Sequence, residues 1–256
     1  MPKRFIATFD QHYGFQRRNG HKYPIHDEAA WGAVVEFAKD FKPHTWIHGG
    51  DLIDCASISH WNKGKPGQTE GMRLLRDAEE GRKIYLDPVE AIVGKGDLIY
   101  ITGNHERFLT DLIDEMPSLE GFVDLDHLLH LNRWDVIPQG GGYALGKLYF
   151  VHGDQLKGGE HIAKAAVTTY ERNIRFGHYH TAQTFTKTSP IDAKLGKTGV
   201  AVPCLCSKDV VYGKGQPNRW VQGFQWGYVH DDGMFSDYTS IITNGQFTAL
   251  GRTYRG

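Results

Sequence analysis

Short apolar runs that end in polar clusters constrain the fold of this chain most strongly. Runs rich in isoleucine, phenylalanine, tryptophan, tyrosine and valine precede Asp10, Asp51, Asn104 and His152. Each run is typical of a buried strand. Helical segments separate the runs, which favours a sheet covered by helices, with ligands collecting at the carboxyl ends of the strands. We therefore expect the polar clusters to converge in space.

The polar clusters combine carboxylates, an amide and imidazoles. They are Asp10-Gln-His12, Gly49-Gly-Asp51, Gly103-Asn104-His105-Glu106, His152-Gly-Asp154 and Gly177-His178-Tyr-His180. Hard oxygens mixed with imidazoles suit manganese, iron or zinc rather than calcium, and a bridging aspartate would hold two ions roughly 3.5–4 Å apart. Strand-end caps and turn-forming Asp and Asn residues are the alternative interpretation, but they do not predict histidines in the same pattern. The sequence therefore predicts a two-metal site.

The ordered motifs Asp-x-His, Gly-Asp-x-x-Asp, Gly-Asn-His-Glu, His-Gly and Gly-His-x-His resemble those of the calcineurin-like metallophosphoesterase superfamily, across residues 4 to about 181. The resemblance implies an α/β fold, namely a four-layer α/β/β/α sandwich with mixed sheets. It implies two divalent metal ions, with manganese favoured and iron, zinc or nickel as alternatives. A looser likeness to phage-encoded members lies in the compact size and in the stretch Arg219–Tyr228.

Residue roles follow from the resemblance position by position. The implied metal ligands are Asp10, His12 and His180 on one ion, Asn104, His152 and His178 on the other, and Asp51 as the bridge. His105 is then the catalytic histidine. Asp54 is expected to orient it by accepting its distal N–H.

The expected function is hydrolysis of phosphodiester or phosphomonoester P–O bonds by a metal-activated hydroxide. A phosphate ester repels hydroxide, so two cations that neutralise its oxygens and lower the pKa of water suit this reaction. His105 lies outside the ligand set and suits the general acid that protonates the leaving group. Asn104 is a neutral ligand whose side chain is also expected to contact the substrate.

Further substrate contacts are expected from an insertion at 55–96, because loops at strand ends carry function. Trp61 is positioned to stack on a base or sugar, and Lys63 to bind phosphate. Arg107, directly after the Gly-Asn-His-Glu motif, is placed to reach a phosphate oxygen. The alternative is a solvated lysine loop with the tryptophan tucked beneath it. The loop 205–223 borders the active site or forms an edge contact in an oligomer.

Composition indicates one globular enzyme. The 256 residues carry 29 basic and 30 acidic side chains, a net charge of −1, so no global basic field favours strong nonspecific nucleic-acid binding. A small phosphate ester, including a nucleotide, is the favoured partner, and a DNA or RNA nuclease is the alternative. A catalytically silent metal-binding interaction module is the alternative outside the enzyme class. Without a membrane-length apolar stretch or signal segment, we expect a cytoplasmic protein.

Apolar spacing predicts an amphipathic helix over 27–40. Asp87, Pro88 and Glu90 are typical of a helix start, which predicts a short helix from 88 to about 93. From 182 to 256 alternating segments separated by Asp-Gly and Asn-Gly turns predict a β-rich part of the same domain, so residues 1–256 are expected to form a single domain.

Overall fold

The computed structural model describes residues 1–191, 196–210 and 218–256. Strands precede most of the polar clusters. They are β1 (Lys3–Thr8), β2 (Phe15–Arg18), β3 (His21–Pro24), β4 (Thr45–His48), β5 (Asp97–Ile101), β6 (Asp135–Ile137), β7 (Gly142–Leu145), β8 (Leu148–Val151), β9 (Asn173–Phe176), β10 (Gln183–Lys187), β11 (Lys197–Ala201), β12 (Gln222–Val229), β13 (Phe235–Ile242), β14 (Gln246–Ala249) and β15 (Arg252–Arg255).

The helices are shorter and fill the connections between strands. They are α1 (Glu28–Phe41), α2 (Pro66–Thr69), α3 (Leu74–Gly81), α4 (Asp87–Val93), α5 (Arg107–Glu115), α6 (Leu125–Leu129) and α7 (Ile162–Tyr170). A π-helical segment, Arg82–Leu86, joins α3 to α4, and short 3₁₀ turns occupy His60–Asn62, Pro117–Leu119 and Gly159–His161.

Two mixed sheets form the centre of the protein. The first has the order β13-β12-β1-β4-β5-β6, with β1, β4, β5 and β6 parallel to one another, β12 antiparallel to β1, and β13 antiparallel to β12. The second has the order β10-β11-β9-β8-β7, with three parallel central strands and antiparallel edges. Thr8 pairs with His48 and His48 with Tyr100, so the first three polar clusters leave the first sheet at the same edge.

Alternation along β1 shows how the layers are built. Phe5 and Ala7 are buried between the two sheets, whereas Ile6 packs on the helical side of the first sheet. There it joins the aromatic cluster around Phe37 of α1, while α7 covers the outer face of the second sheet through residues such as Val167. The predicted fold class, a four-layer α/β/β/α sandwich with mixed sheets, is confirmed.

The helix predicted over 27–40 is confirmed as α1. The side chain of Asp27 accepts a hydrogen bond from the backbone N–H of Ala30 and caps the first turn. Lys42 ends the helix in the left-handed conformation, and its N–H donates to the carbonyl of Ala38. This helix fixes the outer layer behind β1 and β4.

The short helix predicted from 88 to about 93 is confirmed as α4, which ends before Gly94, but the predicted helix start with Asp87 as its cap is wrong. Helical backbone runs from α3 through the π segment into α4, and Asp87 does not cap an N-terminus. Proline at 88 deprives the carbonyl of Ile84, four residues earlier, of its usual donor. The indole N–H of Trp31 donates to that carbonyl at 2.8 Å, and the π-helical widening makes room for the proline ring. The side chain of Trp31, distant in sequence, therefore donates the hydrogen bond that the helix itself cannot supply to this carbonyl.

The predicted β-rich C-terminal part is present as β10 to β15, with turns at Asp231–Gly233 and Asn244–Gly245. Residues 211–217 of the loop 205–223, including Lys214, lie outside the described residues. Within the described ranges, no helix has the length and apolar character needed to cross a membrane. The assignment of residues 1–256 to a single domain stays a prediction.

Candidate metal centre

The backbone at the strand ends adopts the left-handed conformation at five of the seven predicted ligands. Their φ angles are 55° at Asp10, 48° at His12, 56° at Asp51, 67° at His178 and 53° at His180. Residues other than glycine adopt this conformation at a cost of about 1–2 kcal/mol each. Such strain concentrates at functional sites, where surrounding contacts hold the side chains in place.

Two glycines allow the carboxylates to approach neighbouring turns. A Cβ atom at Gly103 would lie 2.2 Å from Oδ1 of Asp51, and one at Gly177 would lie 2.6 Å from Oδ2 of Asp10. Only glycine provides the space that these contacts need. These two glycines therefore let neighbouring turns pack closely against the carboxylates of Asp51 and Asp10.

Asp10, His12 and His180 meet at one side of the centre. The Nε2 atoms of His12 and His180 are 3.3 Å apart, and Nε2 of His180 lies 3.6 Å from Oδ1 of Asp10. Oδ1 of Asp10 is buried and has no hydrogen-bond partner among the described residues, while Oδ2 accepts the backbone N–H of His178. A buried, unpaired carboxylate oxygen beside the imidazole of His180 fits a divalent cation, which would supply the missing partner.

Asn104, His152 and His178 meet on the other side. Nε2 of His152 lies 3.0 Å from Oδ1 of Asn104, and the rings of His152 and His178 are 5.3 Å apart between centroids. Nδ1 of His152 donates to the carbonyl oxygen of Gly49 at 2.9 Å, because that oxygen can only accept. This bond fixes the tautomer and leaves Nε2 available to a metal ion.

Asp51 lies between these two groups. Its Oδ2 is 3.3 Å from Nε2 of His152 and 3.7 Å from Nε2 of His12. Its Oδ1 accepts the backbone N–H of His105 at 2.8 Å. Burial would raise the pKa of this carboxyl, but the surrounding histidines, with His152 foremost, hold the pKa well below its usual range. The carboxylate is therefore ionised and lies between His12 and His152.

Cation binding is expected to release protons at neutral pH. Burial lowers the pKa of His152, but the Asp51 carboxylate outweighs it and raises the pKa to about 10. Without a cation this imidazole is therefore protonated at neutral pH, and a metal ion must displace that proton to reach Nε2. Titration calorimetry with Mn²⁺ in buffers of different ionisation enthalpy should show release of about one proton or more per protein.

The control for this prediction is His127→Ala, which removes an exposed histidine and should leave the release unchanged. His152→Asn should reduce it by about one proton. An unchanged proton balance in both variants would contradict protonation of His152 in the cation-free site.

His105 and Asp54 lie together, but their contacts differ from the expected one. Nδ1 of His105 donates to the backbone carbonyl of Asp54 at 2.8 Å, and the Asp54 carboxylate is 3.5 Å from the same nitrogen. That carboxylate instead lies 3.1 Å from Nδ1 of His12. Asp54 therefore orients two histidines, His105 through its main chain and His12 through its side chain.

Glu106 is the last residue of the Gly-Asn-His-Glu motif, and no function was predicted for it from sequence. Its buried carboxylate accepts the backbone N–H groups of Asp51, Leu52 and Gly103 and the hydroxyl of Tyr100, at 2.7–3.0 Å. It therefore ties the turn after β4 to the turn after β5. An acid placed directly after His105, ahead of an amphipathic helix, is the sequence signal that identifies it.

Three other residues support the centre. Buried His48 accepts the N–H of Gly50 and donates to Oε1 of Gln11, and burial lowers its pKa to about 3, so it stays neutral. Both of its ring nitrogens are therefore engaged in hydrogen bonds within the protein. Trp220, in the loop 205–223, packs its ring 4.2 Å from that of His180. Cys206 places its sulfur 3.8 Å from Nδ1 of the same histidine.

Three of the predicted substrate contacts, Trp61, Lys63 and Arg107, are exposed. Trp61 is 69% exposed, so it is not tucked under its loop. Lys63 pairs with Glu115 at 2.7 Å, and Arg107 pairs with Asp111 at 3.3 Å, with all four side chains exposed. Exposed pairs of this kind contribute about 0–1 kcal/mol and exchange readily for other anions.

Comparison with known proteins identifies phage relatives. The chain is 30% identical over 184 residues to the Gene 54 protein of Mycobacterium phage L5 and 31% identical over 184 residues to the Gene 54 protein of Mycobacterium phage D29. It is similar to both. The aligned stretch covers 69% of this chain and 66% of each relative, so the chain spans just under two thirds of the length of the relatives it matches. No family model matches the sequence.

Solved structures resemble the chain only distantly. Vps29 of Chaetomium thermophilum aligns over 94% of this chain and 98% of its own with a TM-score of 0.41 and 11% identity. The nuclease MPE of Pseudomonas putida aligns over 98% and 86% with a TM-score of 0.41 and 14% identity. TT1561 of Thermus thermophilus aligns over 93% and 99% with a TM-score of 0.35 and 10% identity.

Proposed function

We propose that the protein is a two-metal-dependent phosphoesterase of the calcineurin-like kind. The observation that carries the proposal is the position of Asp51 between two separate groups of ligand side chains, one of which contains the unpaired oxygen of Asp10. Asp10, His12 and His180 would hold one divalent ion, Asn104, His152 and His178 the other, and Asp51 would bridge them. Manganese is the first candidate for both ions, since mixed oxygen and imidazole ligands suit it.

The two ions, when bound, would neutralise the phosphate oxygens and lower the pKa of water that attacks phosphorus. The residues of the chain provide the remaining steps. His105 protonates the departing oxygen as general acid, with Nδ1 held by the carbonyl of Asp54 and Nε2 therefore exchanging the proton. The amide of Asn104 and the guanidinium of Arg107 bind phosphate oxygens and orient the ester.

Hydrolysis of bis-p-nitrophenyl phosphate tests the proposal. Purified protein stripped by a chelator should be inactive and should regain activity when Mn²⁺ is restored. On a diester with an alkyl leaving group, His105→Ala should lower kcat by about 10²- to 10⁴-fold, the usual contribution of general acid catalysis, while metal content stays the same. On bis-p-nitrophenyl phosphate the loss should be much smaller, since p-nitrophenolate leaves easily without a proton.

His127→Ala is the matched control, because this exposed histidine lies outside the centre. It should retain full activity. If the metal-loaded protein hydrolyses neither this diester nor p-nitrophenyl phosphate nor nucleotides, the phosphoesterase proposal fails and a catalytically silent binding module takes its place.

A further inference from the structure

A cleft of about 430 Å³ adjoins the candidate centre on the His105 side. It lies between the segment 57–69 and α5, and Ser59, His60, Asn62, Lys63, Phe108 and Glu115 contribute to its lining. The segment belongs to the insertion, and α5 begins two residues after His105. The cleft therefore lies where a group leaving from phosphorus would go, because a general acid contacts the leaving oxygen.

A row of four rings leads from the centre past this cleft; Phe108 and His60 line the cleft, and Trp61 lies beside it, next to the lining residues His60 and Asn62. The ring of Phe108 lies 5.2 Å from that of His105 and 5.2 Å from that of His60, measured between centroids. His60 in turn lies 4.4 Å from Trp61 at an interplanar angle of 40°. Trp61 ends the row with 69% of its surface exposed. Large exposed aromatic residues beside a polar site are typical of ligand contacts.

Cations stand at the same end of the row. Nζ of Lys63 contacts Oε1 of Glu115 at 2.7 Å, with 70% and 61% of the two side chains exposed. Nζ of Lys65 donates to the backbone carbonyl of Trp61 at 2.7 Å. Because an exposed ion pair is weak, a phosphate oxygen can replace the Glu115 carboxylate on Lys63. A stacking ring next to a cation is the arrangement that binds single-stranded nucleic acid.

We propose that the leaving group is a nucleoside, so that the protein hydrolyses nucleotidyl diesters. The base of the leaving nucleotide stacks on Trp61, and its next phosphate binds Lys63. Water attacks phosphorus, the P–O bond to the nucleoside breaks, and the released oxygen takes the proton from His105, leaving a monoester and an alcohol. This inference rests on the proposed phosphoesterase activity. The net charge of −1 favours a short single strand over a long duplex, which needs an extended basic surface.

The test compares two substrates in the metal-loaded protein: a thymidine trinucleotide, and methyl p-nitrophenyl phosphate, whose leaving group carries no second phosphate. Trp61→Ala should lower kcat/KM for the trinucleotide about tenfold more than for the small diester, since one stacked base contributes that much. Trp61→Phe should restore most of the loss. Lys63→Gln should lower kcat/KM for the trinucleotide and weaken the salt dependence of kcat/KM. Glu115→Gln should raise kcat/KM for the trinucleotide.

Phe122→Ala is the matched control, because Phe122 is 67% exposed and does not line the cleft. This variant should leave kcat/KM unchanged for both substrates. Equal effects of Trp61→Ala on both substrates, or a parent protein that cleaves only the small diester, would overturn the nucleoside inference and leave the phosphoesterase proposal standing. A parent protein that cleaves neither substrate with metal restored would overturn the phosphoesterase proposal itself.

Discussion

Asp51→Asn is expected to lower kcat/KM for bis-p-nitrophenyl phosphate roughly a thousandfold or more. The two proposed cations would supply several kcal/mol of transition-state stabilisation, and each 1.4 kcal/mol corresponds to about a tenfold change in rate. Asp51 lies 3.3 Å from His152 and 3.7 Å from His12, so its side chain faces both groups of ligands. An amide lacks the charge that draws two cations together. Elemental analysis after gel filtration should show fewer than two ions per chain.

Asp231→Asn is the control for this variant, because Asp231 is exposed in the turn between β12 and β13. It should keep both ions and full activity. Near-ultraviolet circular dichroism should show that Asp51→Asn retains the packed fold, which separates loss of metal from loss of structure. An Asp51→Asn protein that holds two ions and hydrolyses the diester at the parent rate would contradict the bridging role.

Parallel strand ends explain why much of the candidate site was predictable from sequence. Residues directly after β1, β4 and β5 must emerge at one edge of the sheet, and their apolar runs identify those strands. Asp10 and Asp51 could therefore be placed together without a structure. Five of the seven predicted ligands adopt positive φ angles, and glycine spacing alone does not reveal these conformations.

Contacts between distant segments were harder to predict. The carbonyl oxygen of Ile84 accepts a hydrogen bond from the indole N–H of Trp31, which lies 53 residues away in sequence. This hydrogen bond lets helical backbone continue through Pro88. Local sequence contains only the acid and the proline that are typical of a helix start, so it predicts that a new helix begins there. In the same way, the backbone carbonyl of Asp54 contacts His105, which no side-chain motif encodes. Trp220 contacts the ring of His180 although the two residues are far apart in sequence.

Glu106→Ala is expected to destabilise the protein by about 3–5 kcal/mol. The substitution leaves the backbone N–H groups of Asp51, Leu52 and Gly103 and the hydroxyl of Tyr100 without their acceptor, in a buried region. Each unsatisfied buried donor costs about 1–3 kcal/mol, and relaxation of the turns keeps the sum below the simple total. Urea denaturation followed by tryptophan fluorescence measures the change in the free energy of unfolding.

The same variant should also bind metal more weakly, because the left-handed turn at Asp51 loses the acceptor that holds its N–H. Glu106→Gln should fall between the parent and the alanine variant, since one amide oxygen still accepts while the amide N–H₂ opposes the remaining donors. Glu79→Ala, an exposed substitution in α3, serves as the control and should change stability by less than about 0.5 kcal/mol. A Glu106→Ala protein as stable as this control would show that water or another acceptor satisfies the turns, and Glu106 would then have no positioning role. Loss of metal affinity under conditions in which the variant remains folded would instead show that the carboxylate holds the Asp51 turn in the geometry that the cations need.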